Sequence, residues 1–247
     1  MMVKHTIVSH DQWLKARQQF LAKEKEFTRV RDELSRERRD LPWERVDKAY
    51  VFDGPNGRVT LSDLFAGRSQ LIVYHFMFGP DWDAGCPSCS LFADNFNDII
   101  VHLNQRDVSF VVASRAPLSK LEAYKKRMGW SFTWVSSAGT DFNLDYHVSF
   151  TPDALAQGEG YYNYTTQKIW DSEMPGASIF YKDPGGAVFH TYSTYGRGLD
   201  MLMLNYHYLD LVPKGRDEDG MKPHAQAWVR RHDEYGERPV QFEGAKA

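Results

Sequence analysis

The stretch Leu71-Ile72-Val73-Tyr74-His75-Phe76-Met77-Phe78-Gly79-Pro80-Asp81-Trp82-Asp83-Ala84-Gly85-Cys86-Pro87-Ser88-Cys89 decides how the rest of the chain is read. Residues 70–78 form a mostly apolar run rich in β-branched and aromatic side chains, the pattern of a strand buried on both faces. Residues 81–85 are a loop. From Ser88 to about residue 106, Phe92, Phe96, Ile99, Ile100 and Leu103 recur at helical spacing. Cys86 therefore falls at or just before a first helical turn, with Pro87 where proline is best tolerated. The chain has no cysteines other than Cys86 and Cys89. A secreted disulfide scaffold would carry more of them, spread further apart, so the pair reads as redox or metal chemistry.

Working outward, residues 108–114 and 132–135 read as strands and residues 118–128 as a helix ended near Gly129. Residues 151–174, with Tyr161, Tyr162 and Tyr164 between glycines, break the alternation and read as an inserted loop or lid. Residues 177–181 and 188–192 make a hairpin around Asp183-Pro184-Gly185-Gly186. A closing helix follows over 199–211, then a polar tail with one helix near 225–235. Upstream, residues 50–61 are a hairpin and 62–65 a helical turn. Residues 9–39 are a charged helix in which Ser9 and Gln12 make a capping box and Trp13, Phe20, Phe27 and Leu34 recur every seven positions. It reads as an extension (1–42) packing on a core or on a second copy, ahead of a core domain (43–212) and a tail (213–247) packing on that domain.

The order strand, CxxC at a helix start, strand, helix, interruption, antiparallel hairpin, helix predicts an α/β fold of thioredoxin-like type, a central mixed sheet flanked by helices. Composition narrows the partners. Lys and Arg total 30 against 33 Asp and Glu, a net charge of −3, which lacks the electrostatic footprint of a nucleic-acid binder. No segment is long and apolar enough to span a membrane, and the N-terminus shows no apolar signal region, so a cytoplasmic protein is expected.

A thiol attacks as its thiolate, and the free amides and dipole of a helix N-terminus stabilise that anion. Cys86 is thus the expected nucleophile with a lowered pKa, and Cys89, a turn further in, the buried residue that resolves a mixed disulfide. Met174-Pro175 precedes the hairpin where thioredoxin-like folds carry a cis-proline facing the cysteines. The pair is a candidate substrate contact through a free backbone at Met174, a trans turn proline being the plainer alternative. Trp82 is a candidate shield over the cysteines or simply a core aromatic. Asp81 and Asp83 are candidate proton relays or solvated loop acids. His75 reads first as a hydrogen-bonded core histidine, with a base or ligand role second; His147 and His190 are weaker cases. The tyrosines at 161–164 and Tyr192, Tyr195, Tyr206 and Tyr208 read as packing residues.

The segments Phe78–Cys89, His190-Thr191-Tyr192-Ser193-Thr194-Tyr195-Gly196-Arg197-Gly198 and Tyr208-Leu209-Asp210-Leu211-Val212-Pro213-Lys214-Gly215-Arg216-Asp217-Glu218 resemble the bacterial thioredoxin-like family catalogued as domain of unknown function 899. The resemblance runs over nearly the whole chain. It implies a thioredoxin fold with an N-terminal helical extension and an intact CxxC, and no particular reaction. Peroxiredoxins are more distant relatives, with Pro-x-x-x-Thr/Ser-x-x-Cys. Here Asp83 stands at the hydroxyl position and Pro80 is six rather than seven before Cys86, and an acid there would raise the thiol pKa. Arg115 and Arg197 are the arginines considered for approach to the site.

Three functions follow as expectations. The first is a thiol–disulfide oxidoreductase without a cofactor, taking a disulfide-bearing protein or a small thiol or peroxide and recharged by an electron donor. Peroxide reduction by Cys86 is a variant of it. The second is a copper module on the two cysteines plus His75, His147 or His190. The third is a non-catalytic interaction protein using the long helix and the Tyr-rich insert.

Overall fold

The computed structural model describes residues 5–236. The first four residues and the tail beyond 236, both covered by the readings above, lie outside the described residues. An eight-stranded mixed sheet organises the chain. Its strands are β1 (Glu44–Arg45), β2 (Val51–Gly54), β3 (Gly57–Thr60), β4 (Gln70–His75), β5 (Val108–Ser114), β6 (Thr133–Ser136), β9 (Gly176–Lys182) and β10 (Val188–Tyr195). A separate hairpin consists of β7 (Glu159–Tyr162) and β8 (Thr165–Lys168). The sheet order is β1-β10-β9-β4-β5-β6-β2-β3. β4, β5 and β6 run parallel, and β9 pairs antiparallel with β4, setting His75 beside Gly176. This is the thioredoxin-like fold, with parallel crossovers through α2 (Pro87–Phe96) and α3 (Ile100–Asn104), and then through α4 (Leu118–Arg127).

Period-two alternation along β4 and the residues beyond it divides the core between the two faces of the sheet. Leu71 and Val73 join Val111, Phe142 and Phe180 on one face. Tyr74, Phe76 and Phe78 join Phe92, Phe96, Tyr124 and Trp134 on the other, under α2 and α4. Their rings meet mostly edge to face, as Tyr74 and Phe92 do at 4.5 Å between centroids. The CxxC helix therefore lies on an aromatic floor supplied by the strand that precedes it.

Several elements depart from the sequence reading. The single helix expected over 88–106 is two, α2 and α3. The Asn97 carboxamide accepts the Ser131 N–H at 2.8 Å, drawing the chain aside where a poor helix former sits. The insert is ordered by its own small core rather than being a bare loop. Following α5 (Phe142–Asp145), it carries α6 (Pro152–Gln157) and the β7–β8 hairpin, with Phe150, Tyr162, Ile169, Met174 and Tyr195 packed together. The hairpin turn puts Asn163 and Tyr164 both at positive φ, the geometry of a two-residue I′ turn, and Tyr164 donates its hydroxyl to Ser193 O at 3.0 Å.

The closing helix is split into a 3₁₀ segment, Gly196–Leu202, and α7 (Leu204–Leu209). Met203 between them is extended, which lets Leu199, Met203 and Tyr206 reach one apolar cluster. No helix forms near 225–235. That segment is a series of turns fixed by side chains, including Arg127 to Asp233 and His232 to Asp94. Tyr208 is exposed rather than packed. The N-terminal helix, α1 (His10–Arg39), has the expected capping box but buries no residue against its own chain.

Candidate functional site

Cys86 is the N-cap of α2, with extended backbone and Pro87 in the first turn. Its N–H donates to Met77 O at 3.1 Å, and its carbonyl accepts from Ser90 N–H at 2.9 Å, so it is fixed at the mouth of the helix. Gly85 makes this placement sterically feasible. A Cβ there would stand 2.6 Å from the Phe76 ring, so any side chain would push the loop and Cys86 away from the floor. The loop is clamped from outside as well. Lys120 Nζ donates to Pro80 O and Trp82 O at 3.0 and 2.9 Å. Arg231, from the tail, donates to Gly85 O at 2.8 Å and to the Tyr124 hydroxyl at 2.9 Å. Tyr124 in turn meets the Ser90 hydroxyl, which donates to Cys86 O.

Cys86 is half-buried and Cys89 buried, and both are free thiols. The neighbouring Cys89 thiol favours the Cys86 anion more than burial opposes it, and draws the Cys86 pKa down to about 7. The side chain forms no capping hydrogen bond. The amides of Cys89 and Ser88 nonetheless face its sulfur and favour the anion further. Burial holds Cys89 well above the ordinary thiol range, and the negative partner at Cys86 adds to the effect. Working against this, the Tyr74 hydroxyl, packed in the same cluster, favours the Cys89 anion. Tyr74 is itself buried and held protonated by that burial, which makes it a hydrogen-bond donor rather than a base. The two sulfurs thus differ strongly in acidity although they share one turn of helix.

The expected accessory residues fall in different places. Trp82 is half-buried, packs against the same aromatic cluster as the cysteines and covers Gly79. Asp81 and Asp83 are both exposed on the loop. The acid whose charge bears on Cys86 is instead Asp171, at the end of the insert. Met174 is buried in the insert's core, and its N–H already donates to Val148 O at 2.8 Å, so the free backbone expected there is occupied. The Met174–Pro175 bond is trans; the cis peptide among the described residues is Lys222–Pro223. Pro175 O accepts the Tyr162 hydroxyl at 2.6 Å, and the Gly196 N–H donates to that same hydroxyl, so the insert is pinned to the strand edge where a cis-proline was expected.

Arg115 does not stand free for an anion. It pairs at 3.1 Å with Glu173, a buried acid that also accepts the Ser149 hydroxyl and that burial pushes up to about 7. Arg197 is exposed and pairs with Asp200. His75 is buried on the face away from the cysteines, with Nε2 at 2.8 Å from the Ser178 hydroxyl, and burial lowers its pKa to about 3. Among the described residues no three His, Cys, Asp or Glu side chains gather as a metal site, so the copper arrangement on Cys86, Cys89 and a histidine is not assembled. No described helix is long and apolar enough to cross a membrane.

The model of a family described as a bacterial protein of unknown function, DUF899, matches residues 2–235. The chain belongs to the DUF899 family. No curated protein matches its sequence. Among solved structures, this DUF899 chain is similar to a cysteine-to-serine form of peroxiredoxin Q from Xanthomonas campestris, at 14% identity and TM-score 0.40, covering 64% of this chain and 90% of that one. It is similar at the same identity and TM-score to the peroxidoxin BcpB of Mycobacterium tuberculosis, covering 66% and 94%. A candidate protein disulfide isomerase from Bacteroides thetaiotaomicron aligns at 16% identity and TM-score 0.40, covering 72% and 98%. These are loose superpositions, and no reaction is carried over from them.

Tyr74, Glu173 and Arg231 escaped the sequence reading, whereas Tyr162 is the packing tyrosine with a satisfied hydroxyl that the sequence suggests. Tyr74 alone left a usable signal. It is the polar-tipped aromatic in the strand feeding the CxxC, on the face shared with Phe76 and Phe78.

Proposed function

We propose that this DUF899 protein is a dithiol–disulfide oxidoreductase in a reducing compartment, with Cys86 as attacking sulfur and Cys89 as resolving sulfur. The observation that carries the reading is the placement of two free thiols within one helical turn, Cys86 half-buried at the N-cap of α2 and Cys89 buried in the core, an arrangement that lowers the pKa of the first to about 7 and raises that of the second. The Cys86 thiolate attacks one sulfur of a substrate disulfide. A Cys86–substrate bond forms, the substrate's S–S bond breaks, and the other half leaves as a thiolate that takes up a proton. Cys89, its anion favoured by the Tyr74 hydroxyl, loses its proton and then attacks Cys86. The substrate's second thiolate is expelled, and two electrons have passed from the protein to the substrate. The resulting Cys86–Cys89 disulfide is reduced again by an external dithiol.

Insulin reduction with dithiothreitol as donor tests this reading. The wild type accelerates the reaction, Cys86→Ser abolishes the acceleration, and Cys89→Ser accumulates a mixed disulfide at Cys86. A wild type no faster than dithiothreitol alone, or activity that survives Cys86→Ser, overturns it.

A further inference from the structure

The long N-terminal helix has no place in that chemistry, and it presents a surface the rest of the chain leaves uncovered. α1 is 30 residues long, about 45 Å at helical rise, and none of its residues is buried. Trp13, Phe20, Phe27, Val30 and Leu34 are 53, 56, 67, 53 and 48% exposed. They lie on one stripe. With Trp13, Phe20, Phe27 and Leu34 as the a positions of a heptad, Ala16 and Val30 fall at d together with Lys23 and Glu37. An apolar stripe of this length, broken at Lys23 and Glu37 and flanked by the exposed Leu14 and Leu21, marks an interface.

We propose that the occupant of this stripe is α1 of a second copy, the two helices forming a parallel, two-stranded coiled coil. Two observations carry the choice. The first is area. The exposed parts of the stripe amount to roughly 600 Å² per helix, so that pairing would bury about 1,200 Å² in all, at the lower edge of the range of specific stable interfaces. The second is the charge on the two flanks. One flank, the g positions, carries Gln12, Gln19, Glu26 and Glu33; the other, the e positions, carries Arg17, Glu24, Arg31 and Arg38.

In a parallel pair each g residue meets the e residue five positions on across the seam. That sets Glu26 opposite Arg31 of the partner subunit, and Glu33 opposite Arg38 of the partner subunit, with no like-charge pair between the flanks. In an antiparallel pair g faces g and e faces e, bringing the glutamates together and setting Arg17 against Arg38. Glu26 and Glu33 now bind arginines on their own helix, as exposed pairs that hold weakly and leave them free to turn outward. Arg38 also lies over Tyr192 of its own chain, so the Glu26–Arg31 contact is the better of the two. In that pairing Lys23 faces Lys23 of the partner subunit and Glu37 faces Glu37 of the partner subunit at d, which costs stability while restricting the register.

Sedimentation of the full chain tests the pairing, with twice the chain mass expected at low micromolar concentration. Phe20→Glu/Phe27→Glu is expected to sediment as a monomer with unchanged near-ultraviolet circular dichroism, because neither ring supports the body. Glu26→Arg/Glu33→Arg should dissociate as well, and mixing it with Arg31→Glu/Arg38→Glu should restore the dimer. For orientation, Ala16→Cys in a Cys86→Ser/Cys89→Ser background should be linked quantitatively by mild oxidation. A monomeric wild type, a dimer that survives Phe20→Glu/Phe27→Glu, or a dimer that Ala16→Cys cannot link overturns the proposal. None of these readouts depends on redox activity, so their failure and that of the enzymatic reading are distinguishable.

Discussion

Cys86 keeps its charge because Cys89 stays protonated beside it, and the second step of the proposed reaction requires that division to reverse. Tyr74 is the residue placed to help. Its hydroxyl favours the Cys89 anion, and burial keeps that hydroxyl protonated through the working pH range. Tyr74→Phe removes that donor and leaves the ring. It is expected to slow resolution of the mixed disulfide by roughly tenfold, the effect of about 1.4 kcal/mol, while the attack by Cys86 is unchanged. Stopped-flow and quenched-flow traces separate the two steps, and equal slowing of both would remove Tyr74 from this role. The two cysteines and their unequal exposure are legible in the sequence because CxxC spacing and Pro87 fix a helix start locally. Tyr74 is not, because its role depends on which face of the strand it occupies, and that emerges once the sheet is paired.

At the scale of elements, the insert behaves as a small packed unit locked to the sheet edge by Tyr162 and by the Arg115–Glu173 pair. Glu173 has its pKa raised from 4.5 to about 7, first by burial. The folded state therefore binds this proton more tightly than the unfolded chain does. The associated stability is fully present below about pH 4.5 and is lost as pH rises through about 7. Glu173→Gln keeps a neutral side chain at every pH. Its stability relative to wild type should rise across that window by up to about 3 kcal/mol, read from urea melts in a pH series. A difference between the two proteins that is flat with pH would contradict the assignment. The insert's location is legible as a break in strand–helix alternation. Its internal order is not, since Phe150, Ile169 and Met174 are brought together by contacts distant in sequence. The same limit explains why the spacing over 88–106 predicts one helix where α2 and α3 stand apart: the break depends on Ser131 reaching Asn97.

Across the whole molecule, the two ends of the chain behave oppositely. The N-terminal helix leaves the body, whereas the tail returns to the loop that carries the cysteines, and Arg231 is its anchor. Arg231→Ala leaves Gly85 O and the Tyr124 hydroxyl without that donor. It should cost about 1–3 kcal/mol, seen as a Tm lower by several degrees. An unchanged Tm would mean that the tail does not hold the loop. The overall α/β order follows from local periodicity and was readable, but a polar tail of turns held by side chains carries no periodic signal. The central claim is that one sulfur is ionised near neutrality while its neighbour is not, and site-resolved alkylation tests it most directly. Iodoacetamide labelling of the reduced protein across about pH 5 to 9, mapped by mass spectrometry, should modify Cys86 with a half-maximal rate near pH 7 and leave Cys89 unmodified. Labelling of Cys89 ahead of Cys86, or a Cys86 rate that keeps rising as an ordinary thiol's does beyond pH 8.5 or so, would contradict it.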